Sequence, residues 1–419
     1  MRDTPNPSPT FEHPYRPPWL RLINWAGSTL RRGGVPLANL SEESILTAAL
    51  RQAGLSDWGD ESFRVPLRIL LESFETEANL NFIGRYLLRQ HCIRLLVNRL
   101  RIQDNLKRHP EILQVPIRRP LFIIGLPRTG STLLQNLLSQ DPSSRWLSLC
   151  ELISPSPPPD HQTCETDPRI EDAEKLVKLY NYLAPNLGTA HYLNPNGPEE
   201  CNSLFEHEFV SILFELRANV TRYVEWIEAH DMVALYRYYR QQLQLLAWRC
   251  PGDHWVLKAP AHLFSLDALM TVFPDACIIQ THRDPLKVLP SICSLTAMVR
   301  GIYSDRVDLR LVGEHWTNRL ANGLERAMQV RSSADPARFY DVNYNATVQD
   351  PIGTVRQIYK YFGYDFAPRV EENINRWIIQ NPQHKHGIHR YSLKQFGLDP
   401  VVVNRRFAGY RERFNILPE

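Results

Sequence analysis

Residues 121–138 read LFIIGLPRTGSTLLQNLL and contain the pattern that decides the fold. A short apolar run leads into a turn with Gly125 and Gly130, and leucines at helical spacing follow. A buried strand, a glycine turn and a helix in this order direct backbone N–H groups and a helix N-terminus at one anion. The stretch therefore predicts a phosphate-binding loop. The residues expected around the anion are Arg128, Thr129, Gly130, Ser131 and Thr132.

The loop differs from that of kinases and NTPases at one position. Its glycines have the spacing of a nucleotide P-loop, but Ser131 stands where the loop lysine is expected. A kinase needs that lysine on the β- and γ-phosphates, so its absence disfavours an NTPase. The cation of this loop is instead Arg128, which would suffice for a sulfonucleotide because such a nucleotide has no γ-phosphate.

Three later apolar runs share the character of the first. They are WVLK at 255–258, ACIIQTH at 276–282 and RFYDVNY at 338–344, and helical patterns lie between them. Continuous apolar runs that alternate with helices are typical of parallel strands buried on both faces. The sequence predicts an α/β fold, a P-loop-type doubly wound parallel sheet flanked by helices, with an α-helical N-terminal region.

The chain divides into three predicted parts. Residues 1–40 form a Pro-rich flexible lead with a basic amphipathic helix, and residues 41–115 form a helical region. Residues 116–419 form the P-loop domain, with a helical insertion at about 154–251 that caps the strand ends. The amphipathic helix is expected to dock on its own domain rather than to contact a membrane.

The composition disfavours a nucleic-acid-binding, secreted or membrane-spanning protein. The 419 residues are 43% hydrophobic and 22% charged, with a formal net charge of +3, which gives no reason to expect a nucleic-acid partner. The chain has no secretory signal pattern and no apolar stretch of the ~20 residues that a membrane span needs. Its seven cysteines lack disulfide or zinc spacing. These features predict a cytoplasmic protein, and they leave its oligomeric state open.

A second motif supports the phosphate-binding reading. The run ACIIQTH is followed by RDPLKVLPS, which places Arg283 and Ser291 eight positions apart. Together with the loop PRTGST, this block resembles sulfotransferases that use 3′-phosphoadenosine-5′-phosphosulfate (PAPS), specifically a bacterial branch related to tyrosylprotein sulfotransferases. The resemblance runs from about Ser41 to Pro400. It implies that Arg283 and Ser291 hold the 3′-phosphate of PAPS, the cosubstrate.

The resemblance also implies the reaction and its residues. A sulfuryl group would pass from PAPS to a hydroxyl of a small acceptor, and this chemistry requires no metal. Arg128 and Lys258 are the expected cations. Glu151, which follows the loop helix, and His262, which follows Lys258, are alternative general bases. Tyr344 and Arg390 are expected near the nucleotide.

The insertion is expected to build the acceptor pocket. It contains His191, the segment PEEC at 198–201, Tyr223 and Trp226, which favour an apolar, lipid-like acceptor over a sugar or a protein tyrosine. The histidines 384, 386 and 389 lack carboxylate or cysteine partners nearby in sequence, so a solvated loop is expected there rather than a metal site. A nucleoside-kinase-like phosphotransferase and a non-catalytic nucleotide-binding protein remain as alternatives.

Overall fold

The computed structural model describes residues 14–160, 167–382, 385 and 390–419. Its sheet has five strands, which are β1 (Leu121–Gly125), β2 (Ser144–Arg145), β3 (His254–Lys258), β4 (Cys277–His282) and β5 (Phe339–Asn343). All pairings are parallel, and the strand order is β2-β3-β1-β4-β5. The predicted α/β fold with a doubly wound parallel sheet is confirmed.

Helices surround the sheet and make up most of the described chain. The helices are α1 (Pro18–Arg32), α2 (Glu42–Ala53), α3 (Arg64–Thr76), α4 (Phe82–Arg108), α5 (Ser131–Leu138), α6 (Leu149–Ile153), α7 (Arg169–Leu183), α8 (Leu187–Ala190), α9 (Asn202–Phe205), α10 (Ile212–Arg217), α11 (Thr221–Ala229), α12 (Val233–Ala247), α13 (Leu266–Val272), α14 (Pro285–Tyr303), α15 (Leu309–Ser333), α16 (Tyr344–Gln349), α17 (Pro351–Phe362), α18 (Pro368–Gln380), α19 (Pro400–Arg406) and α20 (Ala408–Arg413).

The central strand β1 is apolar throughout because both of its faces are covered. Phe122 and Ile124 belong to a large core cluster that also contains side chains of α4 and α15. Leu121 and Ile123 face the other way, into a second cluster with side chains of α5 and α17. Side chains alternate between the faces of a strand, so a strand covered on both sides must be apolar at every position.

The strand order places the functional motifs on one edge of the sheet. The strands β2 and β3 lie on one side of β1, and the later strands β4 and β5 lie on its other side, so the strand order reverses at β1. In parallel sheets, ligands bind at the carboxyl ends of strands where the order diverges in this way. Lys258 ends β3, Arg283 follows β4 and Tyr344 follows β5, so all three lie at the edge that carries the loop.

Helix α1 packs on the protein through one of its faces. Leu20, Asn24 and Gly27 are its buried residues. A Cβ atom on Gly27 would lie 2.2 Å from Cγ of Phe82, so only glycine permits this close approach to α4. Among the described residues, none of the helices combines the length and the apolar character needed to cross a bilayer.

Candidate active site

The loop between β1 and α5 has a strained backbone. Gly125, Arg128 and Gly130 all have positive φ angles, of 139°, 67° and 81°. Positive φ costs energy for a residue with a Cβ atom, and such strain at Arg128 is characteristic of functional sites. A Cβ atom on Gly130 would lie 2.9 Å from Cδ2 of Tyr344, so the glycine also leaves room beside that ring. The predicted loop is therefore present, and it opens towards Tyr344.

The loop and the second motif meet at a pair of arginines. Nε of Arg128 donates a hydrogen bond to Oγ of Ser291 at 3.1 Å. Nη1 of Arg283 donates to the carbonyl oxygen of Arg128 at 3.1 Å, and its guanidinium lies 3.8 Å from the centre of the Tyr344 ring. Nε of Arg283 also donates to Glu419 at 3.0 Å. The sequence-predicted residues Arg128, Arg283, Ser291 and Tyr344 are thus brought together.

Burial changes the pKa of one arginine in this cluster. Desolvation lowers the pKa of the Arg128 guanidinium, while Tyr391 acts in the opposite direction. The segment that follows Arg390 therefore lies near the loop, although the Arg390 side chain is exposed. A partly buried guanidinium next to a second one favours binding of an anion.

The two threonines of the loop have different surroundings. The hydroxyl of Thr129 is buried and contacts the carbonyl oxygen of Leu126 at 2.7 Å and the Thr281 hydroxyl at 2.6 Å. It therefore secures the loop to β4. Thr132 is exposed at the start of α5, and its Oγ1 accepts a hydrogen bond from Nζ of Lys258 at 3.3 Å.

Lys258 also pairs with a carboxylate. Its Nζ donates to Oε1 of Glu200 at 2.6 Å, and the lysine side chain is only 1% exposed. Nδ2 of Asn202 donates to the other oxygen of Glu200 at 2.7 Å. The site thus contains an oriented carboxylate next to a buried ammonium group, at the edge of the loop.

The segment that carries Glu200 is held against the sheet by its backbone. The N–H of Cys201 donates to the carbonyl oxygen of Lys258, and that of Glu199 donates to Leu147, both at 2.9 Å. Burial would raise the pKa of Glu199, but His191 and Lys258 outweigh it and lower the pKa to about 2. The distance from Nε2 of His191 to Oε2 of Glu199 is 3.6 Å.

A cavity of about 400 Å³ opens beside these residues. Loop residues, Glu200 and Arg283 line one part of it, and apolar side chains of α6, α7, α10 and α14 line much of the rest. A volume of this size is typical of pockets for small organic ligands.

Of the pocket residues predicted from the sequence, His191, Glu199 and Glu200 line the cavity. Tyr223 is fully buried and donates to the carbonyl oxygen of Phe209 at 2.9 Å, as a core side chain does.

Glu151, the first predicted base, does not line this cavity. It forms an ion pair with Arg145, and its Oε2 accepts a hydrogen bond from the backbone N–H of Ser148 at 3.0 Å. The Ser148 side chain in turn accepts from the N–H of Glu151, so the two residues form a capping box at the start of α6. These contacts to Arg145 and Ser148 give Glu151 a structural role at the start of α6, outside the cavity lining.

His262, the alternative predicted base, also lies outside the cavity lining. It is fully buried, and its Nδ1 lies 2.9 Å from the hydroxyl of Tyr236. The rings of Phe122 and Phe205 pack edge-on against it. Burial lowers the pKa of this imidazole to about 3. His262 is therefore a neutral core residue, which the short 3₁₀ turn after Lys258 directs into the protein interior.

No candidate metal site is found among the residues that the structure describes. They contain no group of three or more His, Cys, Asp or Glu side chains that could hold an ion. His384, His386 and His389 lie outside the described residues.

Comparison with known proteins adds independent findings. The sequence model of the Sulfotransferase family matches residues 120–368. The crystal structure of STF1 from Mycobacterium tuberculosis H37Rv is 32% identical, covers 88% of this chain and 98% of its own, and has a TM-score of 0.79. STF9 from Mycobacterium avium is 27% identical, covers 90% of this chain and 98% of its own, and has a TM-score of 0.82. Omega-hydroxy-beta-dihydromenaquinone-9 sulfotransferase Stf3 of M. tuberculosis is 23% identical over 291 residues, which are 66% of this chain and 71% of that protein.

Proposed function

The chain belongs to the sulfotransferase family, and from this premise we propose that it transfers a sulfuryl group from PAPS to a hydroxyl of an apolar, lipid-like acceptor. Membership of the family removes the phosphotransferase and non-catalytic alternatives. The observation that carries the proposal is the Lys258–Glu200 pair, in which Lys258 contacts Thr132 of the phosphate loop and Glu200 lines the cavity.

The residues at the loop fit the donor. Gly125 and Gly130 have positive φ angles, which favour glycine, and the lack of side chains at these positions leaves the N–H groups of the turn accessible to an anion. Arg128 and Ser291 offer a cation and a hydroxyl close together, and Arg283 adds a second guanidinium. PAPS is a polyanion with phosphate or sulfate at both ends of its ribose, so two adjacent cationic groups match its charge. PAPS supplies the sulfuryl group and leaves as adenosine 3′,5′-bisphosphate.

Glu200 is the general base in this proposal. It takes the proton of the acceptor hydroxyl as the oxygen of that hydroxyl bonds to sulfur and the bond from sulfur to the phosphate oxygen breaks. Lys258 compensates the negative charge that develops on the departing phosphate oxygen. The hydrogen bonds from Lys258 and Asn202 fix the Glu200 carboxylate before the acceptor enters, which reduces the reorganisation needed for proton transfer.

The acceptor class follows from the cavity wall. Leu152, Leu213 and Leu295 represent the apolar part of the lining, beside which most hydroxyls of a sugar would lack partners. The name of the Stf3 relative gives a hydroxylated menaquinone derivative as its acceptor, which is also lipid-like. A long lipid would insert only its hydroxylated end into a cavity of about 400 Å³.

The test uses PAPS labelled with ³⁵S and a panel of acceptors. The panel contains primary alcohols of increasing chain length, phenols, hexoses and a tyrosine peptide. Transfer of label to the alcohols or phenols, and not to the hexoses, is expected. Label on the hexose or the peptide alone would contradict the proposed acceptor class, and Mg-dependent transfer from ATP would contradict the reaction.

A further inference from the structure

The cavity contains a second polar cluster that the sulfuryl transfer does not use. It consists of His91, Arg94, Glu206 and Arg217, all of which line the cavity. Nη2 of Arg94 donates to Nδ1 of His91 at 2.8 Å, and Nε2 of His91 donates to Oε1 of Glu206 at 2.8 Å. Arg217 forms an ion pair with the same carboxylate. Three helical segments around α4, α9 and α10 therefore bring these groups to one place.

The cluster carries excess positive charge. Burial lowers the pKa of His91 to about 4, so its ring is neutral near pH 7. Burial would raise the pKa of Glu206, but Arg217 and His91 lower it to about 2, so this carboxylate is ionised. Two guanidinium groups then face one carboxylate. Because Glu206 is already paired with Arg217, Arg94 has only a neutral imidazole as a direct partner among the described side chains.

This cluster is separate from the site of sulfuryl transfer. Arg94 and Arg217 lie on α4 and α10, whereas Lys258 ends β3. Among the described side chains, no hydrogen bond or ion pair joins the cluster to Lys258 or Glu200. Apolar side chains such as Leu152, Leu213 and Leu216 complete the cavity wall. A ligand in this cavity therefore meets polar groups in two separate places, with apolar surface elsewhere.

We propose that Arg94 binds a carboxylate of the acceptor, which would make the acceptor a hydroxylated amphiphile that carries an acidic group apart from its reacting hydroxyl. A guanidinium binds a carboxylate through two parallel hydrogen bonds, and a buried unpaired cation gains most from such a partner. This inference rests on the proposed function for the identity of the ligand as acceptor. The binding site itself does not depend on the transfer reaction.

The experiment measures binding without any donor. Decanoate and decanol are titrated into the wild-type protein and into Arg94→Met and Arg94→Lys variants, with Arg240→Met, an exposed arginine of α12, as the matched control. Decanoate should bind the wild type and the control roughly tenfold or more tightly than decanol, and Arg94→Met should abolish this preference. Arg94→Lys keeps the positive charge but cannot form two parallel hydrogen bonds, so it should retain part of the preference for decanoate. This variant provides the test if Arg94→Met does not fold.

Equal binding of decanoate and decanol by the wild type, or an undiminished preference in Arg94→Met, would overturn the inference. A parallel assay of sulfuryl transfer to ω-hydroxydecanoate and to decanediol separates the two proposals. Transfer to both alcohols without a carboxylate preference leaves the proposed function and removes the subsite. If the protein prefers the carboxylate through Arg94 but transfers no sulfuryl group, the binding site at Arg94 is supported and the proposed function is contradicted.

A second, independent feature is the uncovered face of α1. Trp19, Leu22, Ile23, Trp25 and Leu30 are exposed, and Trp25 is 65% exposed. The helix contains five arginine or tryptophan residues of the kind found at membrane interfaces and no acidic residue, since its charged residues are Arg21, Arg31 and Arg32. The indole N–H of Trp19 donates to the hydroxyl of Tyr182 at 2.9 Å, which connects this face to α7.

From this surface we infer that α1 lies on a bilayer that contains anionic lipid. Its arginines complement anionic headgroups, and its tryptophans and leucines would enter the interface. Helix α7 extends the apolar surface through the exposed Leu179 and Tyr182, and its Leu176 and Val177 line the cavity. An acceptor dissolved in the membrane would then reach the cavity beside α7.

Sedimentation with vesicles tests this surface. The protein should bind vesicles of phosphatidylcholine with phosphatidylglycerol more strongly than phosphatidylcholine alone, and the binding should weaken with salt. Leu22→Ser with Trp25→Ser should abolish binding, whereas Val401→Ser with Val402→Ser, which alters an equally exposed pair on α19, should not. Absence of binding to either vesicle, or loss of a dimer instead of vesicle binding in the α1 variant, would overturn the inference.

Discussion

Nε of Arg128 donates a hydrogen bond to Oγ of Ser291 at 3.1 Å, across 163 positions of sequence. This bond joins the phosphate loop to the second motif, which the sequence could only place in order along the chain. The two motifs therefore face one site, as required if a single nucleotide is to contact both. The fold achieves this because β1 and β4 are adjacent and parallel, so their carboxyl ends meet at the same edge.

The role proposed for Glu200 predicts a large loss of turnover in Glu200→Gln. The amide keeps the shape of the side chain but cannot accept the hydroxyl proton, so kcat should fall by ~10²- to 10⁴-fold. Adenosine 3′,5′-bisphosphate should bind with little change. Single-turnover transfer of labelled sulfate measures the first quantity, and calorimetric titration measures the second.

Glu151→Gln is the matched control, and it should behave in the opposite way. Loss of the ion pair with buried Arg145 leaves an uncompensated cation, so the free energy of unfolding should fall by roughly 3 kcal/mol. Turnover per folded molecule should stay within a few-fold of wild type. If Glu151→Gln is the inactive variant and Glu200→Gln the active one, the assignment of the base reverts to Glu151.

His262→Phe should leave catalysis intact. The ring packs among aromatic side chains outside the cavity lining, so a phenyl ring conserves the packing. The substitution removes the hydrogen bond between Nδ1 and the Tyr236 hydroxyl, which should cost about 1 to 3 kcal/mol of stability. We expect kcat within about threefold of wild type, because substitutions that conserve volume and shape are tolerated in cores. A loss comparable to that of Glu200→Gln would identify His262 as catalytic after all.

The same variant should change how stability depends on pH. Burial lowers the pKa of His262 to about 3, so the folded state favours the neutral ring. Its contribution is complete above pH 6.5, the ordinary histidine pKa, and is lost as the pH falls below that value because the unfolded chain then binds more protons. At pH 5 the loss is about 2 kcal/mol. Melting curves between pH 7 and 5 should therefore fall more steeply for wild type than for His262→Phe, and parallel curves would contradict this.

Gly130→Ala should weaken binding of the donor. Gly130 has a φ angle of 81°, and an added Cβ atom would lie 2.9 Å from the Tyr344 ring, so the loop and the ring must both move. A rise of roughly tenfold or more in the KM for PAPS is expected.

Gly363→Ala is the control, because Gly363 also has a positive φ angle, 71°, but an added Cβ atom would meet nothing within 4 Å. It should cost about 1 kcal/mol of stability with the KM unchanged, and an equal rise in both variants would attribute the effect to destabilisation.

The strands and the loop were predictable because their signal is local. Continuous apolar runs correctly identified β1, β3, β4 and β5, and the glycine spacing identified the turn. The edge strand β2 has only two residues, Ser144 and Arg145, and this length is too short to give any pattern. Lys258 was also predictable, since the residue that ends a buried strand must lie at the edge of the sheet.

The base was harder to predict because its position depends on packing over long distances. Glu151 follows the loop helix closely in sequence, yet the capping box at α6 and the ion pair with Arg145 hold its carboxylate outside the cavity lining. Glu200 is 58 positions from Lys258, and it reaches that residue because the backbone of Cys201 bonds to the end of β3. Glu199 and Glu200 in the segment PEEC were the only sign of this carboxylate site, but nothing in the sequence indicated which strand this segment would contact.

In the proposed function, Arg128, Arg283 and Ser291 together bind one nucleotide that carries a 3′-phosphate. Thermal unfolding with adenosine 3′,5′-bisphosphate tests it most directly, with adenosine 5′-monophosphate and ATP at equal concentrations for comparison. At about a hundred times its Kd the bisphosphate should stabilise the wild-type fold by ~2.7 kcal/mol. The other two nucleotides should have much smaller effects, and Arg283→Met should remove the difference. Equal stabilisation by ATP, or a bisphosphate effect that survives in Arg283→Met, would contradict the account.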